Sequence, residues 1–284
     1  MDKTITACID DSEYASAVCD AAAWASRRLT APMSILHVID NHAEPGVSDA
    51  SGQIGLGTRE HLLEELASLD EQRAKLAQEQ GRLMLRAAQE RAREAGVADA
   101  TTRLRNGALV EALVEIEDSI RLLVLGKRGT NADAAREHLG SNLERAIRSL
   151  HCPILITPPG FGAPKRVLIA FDGSRTALRM IERIATSPLL QEAECHIVFV
   201  GQDSEALAEQ LATAGRHLAD ACAEVHTQTL TGEIETTLRD YQQRHDIDLL
   251  VMGAYGHSRI RHLLIGSTTT EMIRHATIPL LILR

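Results

Sequence analysis

The sequence predicts an α/β fold made of two doubly wound domains in tandem. Three observations predict it. Short apolar runs alternate with helical segments along the chain, a set of landmarks recurs at near-constant spacing, and a stiff join separates the two sets. Strands that are apolar on both faces and alternate with helices belong to a parallel sheet covered on both sides. Ligands of such sheets sit at the carboxyl ends of the strands, where the strand order reverses.

The recurrence sets the domain organisation. Asp10 closes the run Ile5–Ile9, and Asp172 closes Val167–Phe171, 162 positions later. Leu36-His37-Val38 is matched by Val198-Phe199-Val200 at the same spacing of 162. The spacing then falls to 125 for Gly107 and Gly232, 127 for Gly126 and Gly253, and 126 for Cys152-Pro153 and Ile278-Pro279. The first half therefore carries 37 extra residues between its second and third apolar runs. The join, 157–164, holds three prolines and two glycines, as a short stiff linker should. The expected domains are 1–157, with a helical insertion at about 41–77, and 165–284, each a five-stranded parallel sheet with helices on both faces.

The elements follow in order. Ile5–Ile9 and Leu36–Val38 are strand runs of the first half. Gly46–Gly57 is rich in Gly, Ser and Asp and reads as a loop. Its Gly52, Gly55 and Gly57 are spaced G-x-x-G-x-G with no strand before them, so they are no dinucleotide fingerprint. Thr58–Ala95 reads as one long helix in which Leu62, Leu66, Leu69, Leu76 and Leu83 fall on a four-three spacing, with Arg73 and Gln80 at two seam positions. That stripe either packs on the sheet or meets a partner or second copy, and Gly81 weakens or bends the helix. In the second half Val167–Phe171, His196–Val200, Val225–Leu230, Asp248–Met252 and Leu280–Leu283 read as strands. Thr176–Thr186, Ser204–Ala221, Ile234–Arg244 and Ser267–His275 read as helices.

Composition narrows the function. The 284 residues are 44% hydrophobic but only 2% aromatic, so the core is aliphatic and base-stacking platforms are nearly excluded. The formal net charge of -9 repels nucleic acid and anionic membrane. An anionic ligand must therefore be held locally. The five cysteines form no C-x-x-C pair, and reduced buried thiols in a cytosolic protein are the simplest reading. The acidic N-terminus has no basic start or apolar leader, and no apolar run approaches 18 residues, so a cytoplasmic protein is expected.

One motif carries chemistry. After Leu249–Met252 come Gly253-Ala254-Tyr255-Gly256, nine residues, and then Gly266-Ser267 opening a helix. Gly253 lets a ligand approach the strand end, and Gly256 permits a turn. The helix that Ser267 opens offers N–H groups and a positive dipole end to a phosphate, with Ser267 as N-cap, ligand or both. His257, Arg259, Arg261 and His262 lie between and add positive charge. The bland alternative is a tight strand–helix connection that needs glycines for sterics alone. In the first half Gly126-x-x-Gly129 is followed by ten residues before Gly140-Ser141, and Asp133 and Glu137 lie in that stretch. Asp11 stands where the second half has Gly173, adding a negative charge near the pocket, with Lys127 and Arg128 as compensating cations.

These features resemble the universal stress protein family, in its tandem form. The glycine pattern is similar to that family's nucleotide-binding signature, Asp172-Gly173-Ser174 to its D-G-S opening, and Leu36–Asp40 to its second-strand ending. Cys152–Ile156 and Ile278–Ile282 resemble its last strand. The resemblance implies flavodoxin-like or Rossmann-like domains and, from the family's ATP-binding branch, an ATP (or ADP or AMP) site with Mg²⁺. It assigns Asp172 and Val200 to adenine, Gly253 to ribose, and Gly256, Gly266, Ser267 and Thr268 to the phosphates. The first-half counterparts are Asp10, Val38, Gly126, Gly129, Gly140 and Ser141, in a copy that departs from the pattern. The resemblance also implies that the two last strands pair antiparallel inside the chain, leaving a homodimer or another protein as a further partner.

Other chemistries lack a trace. There is no G-x-S-x-G, H-E-x-x-H, Walker loop or C-x-x-C, and the 12 histidines are dispersed, so no catalytic or metal residues are assigned. His37, at a strand end, reads as a satisfied core or rim residue. The expected function is a stress-linked, nucleotide-dependent sensor or adaptor. The alternatives are a slow ATPase or phosphotransferase using the same loop, and a scaffold that binds no nucleotide.

Overall fold

A computed structural model of the chain describes residues 3–40, 56–129, 140–202, 204–254 and 266–284, with side chains of the long helix from residue 64 onward. The described residues of the first half run β1 (Thr4–Cys8), α1 (Ala15–Leu29), β2 (Met33–Ile39), α2 (Leu56–Glu94), β3 (Thr101–Asn106), α3 (Leu109–Ile116), β4 (Ile120–Gly126), α4 (Ser141–Ser149) and β5 (Ile154–Thr157). The second half repeats the order: β6 (Arg166–Ala170), α5 (Arg175–Ala185), β7 (Glu194–Val200), α6 (Glu205–Leu218), β8 (Glu224–Leu230), α7 (Ile234–Arg244), β9 (Leu249–Gly253), α8 (Ser267–His275) and β10 (Leu280–Leu283).

All ten strands join one sheet, in the order β3-β2-β1-β4-β5-β10-β9-β6-β7-β8. Each half is parallel with strands in the order 3-2-1-4-5. That is the Rossmann half order rather than the flavodoxin order, so the Rossmann-like description is the one that holds. The halves meet where β5 and β10 run antiparallel, with Ile154 opposite Ile282, Leu155 opposite Leu281 and Ile156 opposite Leu280. All six side chains are buried. Each contributes roughly 2 kcal/mol by leaving water, and the pairing removes two bare sheet edges.

Alternation along each strand splits the core into two layers. Leu122, Val124, Leu281 and Leu283 face α1, α2, α5 and α6, while Leu123, Leu125, Leu280 and Ile282 face α3, α4, α7 and α8. Both layers cross the seam. Helix α1 reaches the sheet closely because its inner positions are small: Ala17, Ala21, Ala22, Ala23 and Ala25 are all buried. The single tryptophan, Trp24, packs its ring 5.6 Å from Phe161 of the join.

Helix α2 corrects the expected packing. Its described stripe leucines face outward: Leu66 and Leu69 are 49% exposed, Leu76 67% and Leu83 54%. The buried residues are Gly81, Leu85, Ala88 and Ala92, on a different face of the helix. Gly81 is a contact rather than a weak point, because an added Cβ would lie 2.8 Å from Leu104 and 2.9 Å from His37. Gly52 and Gly55 of the glycine-rich stretch lie outside the described residues, and Gly57 falls in the first turn of α2.

The cysteines also depart from expectation. Cys195 of β7 and Cys222, just before β8, form a disulfide, whereas Cys8, Cys19 and Cys152 are free thiols. Burial pushes the Cys19 and Cys152 thiols up to about 12, which makes them poor nucleophiles. Among the described residues no helix is long and apolar enough to cross a membrane.

Candidate functional site

In each half the chain leaves the first strand to one side for β2 and β3 (or β7 and β8) and returns on its other side for β4 (or β9). The crevice this opens lies between β1 and β4 in one half and between β6 and β9 in the other.

In the second half the crevice is a cavity of about 390 Å³. Asp172, Val200, Gly253, Gly266, Ser267 and Thr268 all line it, so the structure brings together every described residue that the sequence assigned there. Gly256 lies outside the described residues, as do His257, Arg259, Arg261 and His262. The Asp172 carboxylate accepts the Ser174 N–H at 2.9 Å, and the Ser174 hydroxyl caps α5 by accepting the Ala177 N–H at 3.1 Å. Gly173 between them has φ +72°, a left-handed conformation that favours glycine.

The other end of the cavity is the start of α8. Its N-cap is Gly266, not Ser267, and no side chain caps it. The first intrahelical bond there is donated by Thr270 to the Gly266 carbonyl, at 2.9 Å. Among the described residues no side chain accepts from the N–H groups of the first turn, which lie beside a positive dipole end. The three other second-half helices, α5, α6 and α7, are capped by Ser174, Ser204 and Glu233. Thr269 anchors the turn by donating its hydroxyl to the Gly253 carbonyl at 3.2 Å. Sequence reasoning missed the apolar wall made by Met180, Phe199, Leu238 and Met252. These residues carry no motif, because any apolar residue facing inward from α5, α7 or a strand end serves.

In the first half the crevice holds only about 150 Å³. Asp10, Val38, Gly126, Gly129, Gly140 and Ser141 line it, as assigned. Two contacts crowd its glycine side. Tyr14, equivalent to Thr176, lines it and packs against Gly126, its Cβ 2.7 Å and its Cγ 3.2 Å from where a Cβ on that glycine would lie. The loop after β4 folds onto Asp10, whose carboxylate oxygen lies 2.8 Å from the position of a Gly129 Cβ. Burial raises the Tyr14 hydroxyl above its usual range, and it pushes the Cys8 thiol beside the same cavity strongly up. The described part of the wall therefore gains no new anion from either group.

Three charge assignments change. Asp11 does not line the cavity; Gln80 of α2 donates to it at 3.0 Å, pulling it outward. Asp40 at the end of β2 is an acid that does line it. Lys127 points the other way and donates to the Ala276 carbonyl of the second half at 2.8 Å, and burial lowers its affinity for a proton. Arg128 remains in the cavity wall. Asp133 and Glu137 lie outside the described residues. His37 is satisfied by the Ile9 carbonyl at 2.9 Å. His196 and His226, read as dispersed, converge with Glu194 across β7 and β8.

Fold and crevices define a tandem Rossmann-like α/β protein with two unequal clefts at its switch points. Comparison with known proteins gives the class its family. The universal stress protein family model matches residues 1–158 and 201–284. The chain is 39% identical over 287 aligned residues to the universal stress protein Slr1230 of Synechocystis, covering 99% of this chain and all of that one. A universal stress protein structure from Archaeoglobus fulgidus superposes with a TM-score of 0.71 at 18% identity, over 99% of this chain and 98% of that one. A putative universal stress protein from Pseudomonas aeruginosa gives a TM-score of 0.61 at 14% identity, over 99% and 92%. The chain belongs to the universal stress protein family.

Proposed function

We propose that this universal stress protein binds an adenine nucleotide in the cavity between β6 and β9, and that occupancy makes it a nucleotide-dependent sensor or adaptor in a cytoplasmic stress response. The observation that carries this reading is the coincidence, in one cleft of about 390 Å³, of an apolar wall with an uncapped helix N-terminus. The volume is within the usual range for small-molecule sites, and the polarity is that of a ligand with a flat apolar end and an anionic tail.

In this arrangement the base lies against Val200 with Asp172 at its polar edge. The ribose meets Gly253, and the phosphates meet the turn at Gly266, Ser267 and Thr268. A triphosphate brings Mg²⁺ as its counterion. The first-half cleft, narrowed by Tyr14, holds nucleotide weakly or not at all.

Mass spectrometry of the purified, denatured chain tests the reading. ATP, ADP or AMP should co-purify at up to one per chain, and added Mg-ATP should raise the melting temperature, as any ligand of the native state does. A chain that carries no nucleotide and does not respond to Mg-ATP sinks it and leaves the scaffold reading. Turnover of ATP to ADP in the same preparation would move the protein to the ATPase class.

A further inference from the structure

At the outer edge of the second half, near the amino-terminal ends of the strands, β7 and β8 carry the same three-residue pattern in register. Glu194-Cys195-His196 lies beside Glu224-Val225-His226, with Glu194 opposite Glu224 and His196 opposite His226. Side chains two apart share a face, so two carboxylates and two imidazoles stand together on neighbouring strands. Like charges placed directly opposite are destabilising, so the Glu–Glu pair needs a cation or proton donor between its carboxylates.

The donor atoms converge. His196 Nε2 lies 3.0 Å and His226 Nε2 3.1 Å from the same Glu194 carboxylate oxygen, and a Glu224 oxygen is 3.4 Å from His226 Nε2. The three ligand atoms lie within 4.8 Å of one another. Ligands around a tetrahedral zinc ion at 2.0–2.1 Å are separated by ~3.3 Å, so the two nitrogen–oxygen spacings fit and the His226 ring, on the exposed side, moves inward to close the set. His196 is buried, and its other nitrogen, Nδ1, is held by the Tyr241 hydroxyl at 2.8 Å. That contact fixes the ring; without an ion Nε2–H donates to the Glu194 carboxylate at 3.0 Å, and a metal would take that proton's place while Nδ1–H donates to the Tyr241 hydroxyl. His245 stacks on Tyr241 with ring centroids 4.0 Å apart and so holds the hydroxyl in place. The His226 side chain is 42% exposed, which leaves an entry path from solvent.

We propose that Glu194, His196 and His226 form a divalent transition-metal site of the zinc class, with Glu224 or water in the fourth position and Tyr241 as a positioning residue. Two imidazoles and a carboxylate favour zinc over the oxygen-seeking Mg²⁺ and Ca²⁺. Cys195, between the two β7 ligands, points to the opposite face and is tied to Cys222, so thiols are not part of the set.

Zinc binding to the full-length chain, stripped with chelator and kept oxidised, tests this by competition against a chromogenic chelator. One zinc per chain is expected, with neither Mg²⁺ nor Ca²⁺ displacing it. Glu194→Gln and His226→Asn, both at partly exposed positions, should each weaken binding at least tenfold without changing the far-ultraviolet spectrum. Tyr241→Phe should keep the stoichiometry and weaken affinity by a smaller factor. Cobalt substituted for zinc should give the visible absorption of a tetrahedral nitrogen–oxygen site. No uptake at micromolar free zinc, uptake unchanged in both ligand variants, or uptake lost in the Cys195→Ser, Cys222→Ser double variant would each overturn the assignment.

Discussion

The two clefts are lined from equivalent positions, and most of those positions carry different residues. Thr176 becomes Tyr14, Thr269 becomes Leu143, and Gly173 becomes Asp11. The backbone follows: Gly173 adopts a positive φ, while Asp11 is not among the residues that do. The outcome is a cavity of about 390 Å³ in one half and about 150 Å³ in the other. The lesson is that a shared scaffold fixes where a cleft opens, whereas the side chains that line it set how much room is left.

The comparison is broken most directly at the helix ends. Replacing Gly266 with valine and Ser267 with alanine should cost at least tenfold in Mg-ATP affinity, about 1.4 kcal/mol, because branched bulk then sits where the phosphates approach the α8 N–H groups. The matching Gly140→Val, Ser141→Ala pair should leave calorimetric binding unchanged. Equal losses from the two pairs would put the site in both halves or in neither.

Exchanging the aromatic sharpens the difference. Thr176→Tyr should shrink the second cleft and weaken nucleotide roughly tenfold. Tyr14→Thr should open the first and move the stoichiometry towards two, at a stability cost of about 2–4 kcal/mol for the lost buried ring. If the opened cleft stays silent although thermal melting shows a folded chain, the turn at Asp11 rather than the ring is limiting.

A smaller effect is expected at Thr269. Removing its hydroxyl as Thr269→Val deletes the bond to the Gly253 carbonyl, worth about 1 kcal/mol, and should weaken nucleotide about fivefold by loosening the turn. The first half already has Leu143 there, so Leu143→Thr should change ligand binding little. Smallest of all is Asp11→Asn. Its partner is Gln80 outside the cleft, so titrations with nucleotide should move by less than about 0.5 kcal/mol. A large gain in first-half binding would restore Asp11 as a barrier.

Much of this was legible in the sequence because the information is local. The 3.6- and two-residue periods place α7 at Ile234–Arg244 and α8 at Ser267–His275, and the other second-half elements end within a few residues of their expected limits. Gly253 and Gly266 were legible because a strand end and a helix start have fixed places in a doubly wound sheet, whereas Asp172 and Val200 were placed by the family resemblance. The failures involve partners distant in sequence. The leucine spacing of α2 gave a stripe but not the side that meets the sheet, which Gly81 and the alanines decide. Asp11 was misplaced because Gln80 reaches it from 69 residues away. The Cys195–Cys222 bridge and the Glu194–His196–His226 cluster arise from strand register, which no single run of residues displays.

The antiparallel pairing of β5 with β10 has a further consequence. If two separate copies met through that joint, every substitution would appear on both sides of the axis, and a tyrosine closing one cleft would close the other. Here each side of the joint is written once in one chain. The clefts can therefore diverge, one kept open and the other filled, while the sheet that unites them stays the same. The joint's strength also does not depend on how many molecules are present, so dilution leaves the pair of halves intact.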